Sequence, residues 1–294
     1  MKIVLFSDVH GHLRLVLHLI RNWQIAHSSH VDAALIAGDL GCFPDRSKFD
    51  KATKKHIERD LEQAGFAEYF TSPRAEVERL FAPEFGEFSA VRCPILFVPG
   101  NHEDYEYIAS ASRQAPAQDA PRNTFPVDCY RRIHCITDGS VVTLDGEDNA
   151  SLRVAGIWGI ENARQGAPYQ LKASMAERLR VGGPQTFDLL LTHDAPAEAY
   201  PRGGSALITQ VIKACNPEIH LFGHVPPVQG RHEFVVPNCK TKSLVFKDVW
   251  FDKDGSEGLL GAMGMLDWRG SCWKIEIVKE DWLRQMAYRN WERV

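Results

Sequence analysis

The residue types best suited to chemistry in this chain stand just after short apolar runs. Gly100-Asn101-His102-Glu103 follows Ile95-Leu96-Phe97-Val98, with Pro99 between. An apolar run of this length stopped by Pro-Gly reads as a buried strand ending in a sharp turn. Open α/β folds place their reactive groups at such strand ends. Four more runs end the same way. Ile3-Val4-Leu5-Phe6 leads to Ser7-Asp8-Val9-His10-Gly11, and Ala34-Leu35-Ile36-Ala37 leads to Gly38-Asp39. Leu189-Leu190-Leu191 leads to Thr192-His193-Asp194, and Ile219-His220-Leu221-Phe222 leads to Gly223-His224.

Asp8 and His10 are two residues apart, which at a strand end puts both on one face. A hard carboxylate oxygen beside an imidazole suits a divalent first-row ion. Asp39 has two oxygens and could bridge two ions; Asn101 offers an amide oxygen, and His193 and His224 offer imidazoles. Each residue taken singly has a plainer account. Asp8 could cap the following helix, Asp39 could sit in a turn, and a lone histidine is more often structural than ligating. Those plain accounts would all have to hold together for no site to exist.

In chain order the pattern is Asp-x-His, Gly-Asp, Gly-Asn-His, His and Gly-His. Spread over roughly residues 1–240, it resembles the calcineurin-like metallophosphoesterases. The resemblance implies an α/β fold, a β-sandwich flanked by helices with a helical insertion. It implies two divalent metal ions (Mn, Fe or Zn), one taking Asp8, His10 and Asp39, the other Asp39, Asn101, His193 and His224. Two ions about 3.5–4 Å apart would clamp an in-line displacement at phosphorus. His102 would not ligate; it would touch the phosphate or protonate the leaving oxygen. Asp194, His12 and Glu103 would support the ligands from behind or lie at the surface. The pattern departs from the family at one place. Where the family has Gly-His-x-His, this chain has Gly223-His224-Val225-Pro226. The first ion therefore lacks an imidazole: it is held more weakly, is completed by water, or recruits another group, for which His232 is the nearest candidate in sequence.

Asp39 is followed by Leu40-Gly41-Cys42, which excludes the Val-Asp-Arg-Gly of serine/threonine protein phosphatases. Residues 94–196 are similar to the lariat-debranching nucleases in three stretches. These are Pro94 to Glu103, Val154-Ala155-Gly156-Ile157-Trp158-Gly159-Ile160, and His193-Asp194-Ala195-Pro196. Those nucleases carry a Cys where Asp8 stands and keep the His that Pro226 replaces. The expected activity is hydrolysis of phosphate esters, foremost a phosphodiesterase. One alternative is a degenerate scaffold without catalysis. Another is a nuclease acting on RNA or DNA through a basic groove of Lys48, Lys51, Lys54, Lys55, Arg131 and Arg132.

The supporting elements follow from periodicity. Residues 1–44 read β-α-β, with a helix over Leu13–Trp23 and parallel pairing of the two strands. Residues 45–92 read as a helical insertion, with lysines and Arg59 interleaved with Asp50, Glu58, Asp60 and Glu62, then a helix over Arg74–Phe81. Such a stretch is either a solvated face of mixed charge or a cap over the site. Helix resumes at Glu103, and the Pro-rich stretch 111–130 reads as loop. A hairpin joins Val141–Leu144 to Leu152–Gly156, and helices follow over Gln170–Arg180 and Ser205–Ala214. Residues 241–294 supply strands over Ser243–Phe251 and Ser271–Val278, after one at Glu233–Val236, and an amphipathic helix over Glu280–Arg293. No linker-like composition break appears, so the reading is a single domain over 1–294.

Bulk properties narrow the classes. Of 294 residues, 44% are hydrophobic and 24% charged, with a net charge of −4; this composition suits a chain with a sizeable core and argues against a general nucleic-acid coat. The seven cysteines form no C-x-x-C pair, and the chain runs from Met1 straight into its first strand. The expectation is a cytoplasmic protein without disulfides, signal peptide or membrane span. The pattern carries no signal of oligomeric state.

Overall fold

The computed structural model describes residues 1–293 except 116–120, 147–149, 184–185, 252–258, 271 and 287–289. Parts of three sequence readings, the 111–130 loop, the hairpin turn and the C-terminal helix, lie outside the described residues, as does Ser271 at the start of a strand. The strands are β1 (Lys2–Phe6), β2 (Ala33–Ile36), β3 (Ile95–Phe97), β4 (Thr124–Pro126), β5 (Ile133–Ile136), β6 (Ser140–Asp145) and β7 (Ser151–Ile157). They continue with β8 (Leu189–Thr192), β9 (Ile219–Phe222), β10 (Glu233–Val235), β11 (Lys242–Val245), β12 (Gly264–Arg269) and β13 (Cys272–Ile277). The α-helices are α1 (Leu13–His27), α2 (Lys51–Ile57), α3 (Ala75–Phe81), α4 (Tyr105–Gln114), α5 (Ala173–Val181), α6 (Ala206–Cys215) and α7 (Asp281–Gln285).

Two sheets result, a first in the order β13-β12-β1-β2-β3-β5-β4 and a second in the order β10-β11-β9-β8-β7-β6. Within the first, β1, β2, β3 and β5 run parallel; within the second, β7, β8, β9 and β11 do. Parallel strands covered on both faces need apolar residues at every position, and β1 is such a run. Its Ile3 and Leu5 pack with Leu35, Leu96, Leu191 and Leu221 between the sheets. Its Val4 and Phe6 join Ile36, Phe97 and the buried face of α1. Across the second sheet, Leu190 and Ile157 meet Leu179 of α5 and Ile208 and Ile212 of α6. The molecule is thus an α/β sandwich of two sheets with helices on both outer faces.

A strand apolar on both faces cannot fix its register by alternation. Polar groups at its tip do so here. Ser7 Oγ donates to Phe222 O at 2.8 Å and accepts from Phe246 N at 2.8 Å, joining β1 of the first sheet to β9 and β11 of the second.

Several elements differ from the sequence reading. The charged stretch after β2 forms only short pieces, α2 and α3 with 3-10 turns at Arg46–Lys48 and Leu61–Ala64 and a π-helical turn at Phe66–Phe70. Four of its aromatic residues are not solvated: Phe66, Phe70, Phe81 and Phe88 are buried and pack on one another. The strand placed over Ser243–Phe251 ends at Val245, and the chain then turns into the site. α4 runs on to Gln114, and β4 forms inside the stretch read as loop. The long C-terminal helix is short: α7 stops at Gln285, and a 3-10 turn follows at Trp291–Arg293. β12, absent from the sequence reading, pairs antiparallel with β1. No described helix is long and apolar enough to cross a membrane.

Candidate metal centre

All five chemistry-bearing tips emerge at the edge where the two sheets meet. The loops behind them are locked to one another. Asp39 O accepts from Val9 N at 3.1 Å and His10 N at 2.7 Å. Glu103 accepts from Leu40 N at 2.7 Å and Cys42 N at 2.6 Å, so it holds the loop that carries Asp39. His10, Asp39 and His224 have φ of 48°, 44° and 65°. Non-glycine residues adopt this left-handed region at a cost, and such residues concentrate at sites.

One oxygen or nitrogen from each of Asp8, His10 and Asp39 lies within 4.8 Å of the others. Asp39 Oδ1 accepts from Asn101 N at 2.7 Å and His102 N at 2.8 Å, while Oδ2 lies 3.3 Å from His193 Nε2. His193 Nε2 is also 3.1 Å from Asn101 Oδ1, and its Nδ1 is 2.9 Å from Ala37 O. With Nδ1–H given to that carbonyl, Nε2 is the atom turned toward Asp39 and Asn101, the arrangement that fixes a metal-ligating imidazole. His224 is exposed at the mouth; its ring meets that of His193 at 5.1 Å, and its N–H donates to Asp8 at 3.1 Å. Asp8 therefore caps no helix; it is buried in the cluster.

Two glycines keep the space open. A Cβ at Gly38, where φ is +99°, would fall 2.1 Å from His193 Nδ1. A Cβ at Gly100 would fall 2.2 Å from Asp39 Oδ1 and 2.7 Å from His193 Nε2. The residues fit a cation: buried oxygens and one aimed imidazole nitrogen converge, and no side chain fills the gap.

The electrostatics agree. Burial raises the Asp8 carboxyl well above its ordinary range, with Asp248 and Asp39 adding to it. Burial would raise Asp39 too, but His193 and His10 hold it low. Burial opposes the charging of His193, yet Asp39 and Asp8 push it up to about 10. His102 is half-buried; desolvation opposes its charging, yet its hydrogen bond to Asp50, 2.7 Å from Nδ1, and Asp39 push it up to about 9. Desolvation by the groups packed around them lowers His10 and His224 to about 4, and the charge of His193 adds to this at both. Closely packed carboxylates and imidazoles with such divergent tendencies mark a functional site.

A family model of calcineurin-like phosphoesterases matches residues 1–228. The chain belongs to the calcineurin-like phosphoesterases. This phosphoesterase is similar to solved structures at low identity. One crystal structure aligns with a TM-score of 0.51 at 16% identity, over 95% of this chain and 99% of its own. An archaeal phosphodiesterase aligns with a TM-score of 0.33 at 12% identity, over 95% and 100% of the two chains. A phosphatase of Mycoplasma pneumoniae aligns with a TM-score of 0.41 at 11% identity, over 85% and 71%. No curated protein matches.

Three residues that shape the site escaped the sequence reading. Asp50 caps α2 by accepting from Thr53 N at 2.8 Å and holds His102 with its other oxygen. Its spacing to Thr53 announces the cap but not the second contact. Asp248 Oδ2 lies 3.9 Å from His10 Nε2, and Trp250 stacks on His10 at 6.3 Å. His232 is not at the site: Nδ1 is 2.9 Å from Val245 O, and the ring packs on Phe246. Asp194 accepts from Glu161 N and does not support His193, whereas His12 bridges Val9 O and Asp60. Arg132 leaves the basic-groove set, because it is buried with its guanidinium donating to Phe81, Phe88 and Val91 carbonyls. Lys48 is paired with Glu106 at 2.8 Å.

Proposed function

We propose that this phosphoesterase hydrolyses phosphodiesters with two divalent cations held by Asp8, His10, Asp39, Asn101, His193 and His224, with His102 assisting at the phosphate. One observation carries the reading: His193 Nε2 lies 3.3 Å from Asp39 Oδ2 and 3.1 Å from Asn101 Oδ1, and Asp39 is shared with the Asp8–His10–Asp39 group. Divalent ions bound there supply Lewis acidity and a water of lowered pKa. Asp39 Oδ1 is engaged by two backbone N–H groups, so Asp39 would hold a cation chiefly through Oδ2, the oxygen turned toward His193. The Ala37 carbonyl keeps His193 in the tautomer that offers Nε2. His102, its ring 5.4 Å from His10 and its Nδ1 on Asp50, presents Nε2 to the substrate. From there it can donate a hydrogen bond to a non-bridging oxygen and pass its proton to the leaving oxygen. The exposed mouth around His224 admits a phosphate ester; Mn²⁺ is the ion the mixed oxygen and nitrogen donors suit.

The test is hydrolysis of bis(p-nitrophenyl) phosphate with Mn²⁺, compared with p-nitrophenyl phosphate. Wild type should prefer the diester. His102→Ala leaves the backbone N–H on Asp39 in place, so it should keep its metal while losing turnover by about 10²–10⁴-fold. Equal turnover in wild type and His102→Ala would remove His102 from the reaction. A chain that takes up no metal would instead be a scaffold.

A further inference from the structure

Pro226 leaves the first cation position one imidazole short, and His232 lies elsewhere. Asp248 lies next to the Asp8–His10–Asp39 group, its Oδ2 3.9 Å from His10 Nε2. We infer that Asp248 is a metal ligand in this chain, so that a carboxylate stands where the family motif has its last histidine. The inference rests on the metal-dependent reading above.

Its placement follows the rule that delivers the other ligands. β11 runs parallel to β9, with Val245 beside Phe222, so the chain leaving β11 emerges at the same edge as Gly223-His224. Asp248 stands three residues past its strand, as Asp8 stands two past β1. The segment is held on both sides. Phe246 N donates to Ser7 Oγ at 2.8 Å, and Val249 N donates to Asp8 O at 2.8 Å. Moving Asp248 away from the cluster would break these bonds to the tip of β1.

The side chain is also short of other employment. Among the described residues, its ion-pair partner is His10, at 3.9 Å, and no Lys or Arg pairs with it. Asp8 and Asp39 also face His193, at 3.8 Å and 3.3 Å, whereas Asp248 among the described residues pairs with His10 alone; a partly buried carboxylate so placed calls for a counter-charge. Trp250 stacks on His10 at 6.3 Å and on His56 at 6.1 Å, which closes the flank of the His10 ring and leaves its Nε2 edge toward Asp248. Three carboxylates and one imidazole make a harder, more negative donor set than one completed by histidine, which shifts the preference toward Mn²⁺ and away from Zn²⁺ relative to that set.

Metal-stripped wild type, Asp248→Ala, Asp248→Asn, Asp248→His and Asp39→Asn would be titrated calorimetrically with Mn²⁺ and with Zn²⁺. The melting temperature of each metal-free protein controls for folding. Asp248→Ala and Asp248→Asn should lose one Mn²⁺ per chain or bind it at least about tenfold more weakly, with metal-free melting close to wild type. Asp248→His should bind again, with the Zn²⁺ to Mn²⁺ affinity ratio raised. Wild-type Mn²⁺ stoichiometry and affinity in both Asp248→Ala and Asp248→Asn, alongside loss in Asp39→Asn, would overturn the role of Asp248 and leave the proposed function standing. An unchanged ratio in Asp248→His would also overturn it. No Mn²⁺ bound by wild type would overturn both readings.

Discussion

At their common edge the first sheet contributes the oxygens of Asp8, Asp39 and Asn101 with the His10 imidazole, its two carboxylates held by backbone amides, whereas the second contributes the imidazoles of His193 and His224 and the Asp248 carboxylate, each within three residues of its strand. Asp8 and Asp39 are nearly inaccessible, and each is fastened by N–H groups from another loop. On the second sheet, His193 is as deeply buried, but His224 is exposed and Asp248 half-buried. Asp8 and Asp39 form the fixed part of the cradle, and the second sheet supplies its more accessible rim, with His224 at the mouth and Asp248 beside His10. Buried carboxylates tied to several amides cannot be exchanged singly without stranding polar groups; a donor at the rim can be.

The largest effect should come from breaking the fixed part. Asp39→Asn weakens the one carboxylate that touches both groups of donors. It should lower phosphodiester turnover on the order of 10³-fold or more, since several kcal/mol of charge stabilisation are at stake. Parallel metal analysis should show less than wild-type Mn²⁺; full occupancy with full turnover would mean that the two halves do not share this residue.

Separating the halves should cost less. Ser7→Ala removes the hydroxyl between Phe222 O and Phe246 N, leaving both buried backbone groups unpaired. Unfolding in urea should show a loss of about 1–3 kcal/mol. A stability equal to wild type would show that apolar packing alone joins the sheets at this end.

The smallest effect belongs to the interior of the second sheet. His220 bridges Thr192 Oγ1 at 2.9 Å and Ser243 Oγ at 3.1 Å, and burial lowers it to about 3. Thr192 gives its own proton to Asp194 O, so His220 Nε2 donates and Nδ1 accepts. The folded chain keeps this ring neutral, while an unfolded chain takes up a proton below about pH 6.5. Its contribution to stability is therefore present above that pH and is lost as pH falls from 6.5 toward 3. At pH 5 the loss is about 2 kcal/mol. Melting of His220→Gln should fall less steeply between pH 7 and pH 5 than that of wild type; an identical slope would remove His220 from the acid limb.

The contrast between the halves also governs what the sequence discloses. Asp8, His10, Asp39, Asn101, His193 and His224 each follow an apolar run directly, and short runs closed by glycine or proline mark strand ends locally. Asp248 does not: β11 has four residues, and its neighbours Lys247 and Val249 carry no turn signal, so the run reads on to Phe251. β12 is invisible for a related reason, since its pairing with β1 joins Lys2 to Asp267 across nearly the whole chain. Asp50 and Arg132 read as surface charges because charge patterning cannot tell a solvated side chain from one that meets a histidine ring or three carbonyls. Local pattern reveals where strands stop; it does not reveal which distant loop arrives beside them.

The most direct measurement is turnover of bis(p-nitrophenyl) phosphate by the full chain before chelation, after removal of metal, and after return of Mn²⁺. Hydrolysis should vanish on stripping and recover with Mn²⁺. Turnover that persists unchanged in the stripped protein would contradict a single cation cradle built from the tips of both sheets.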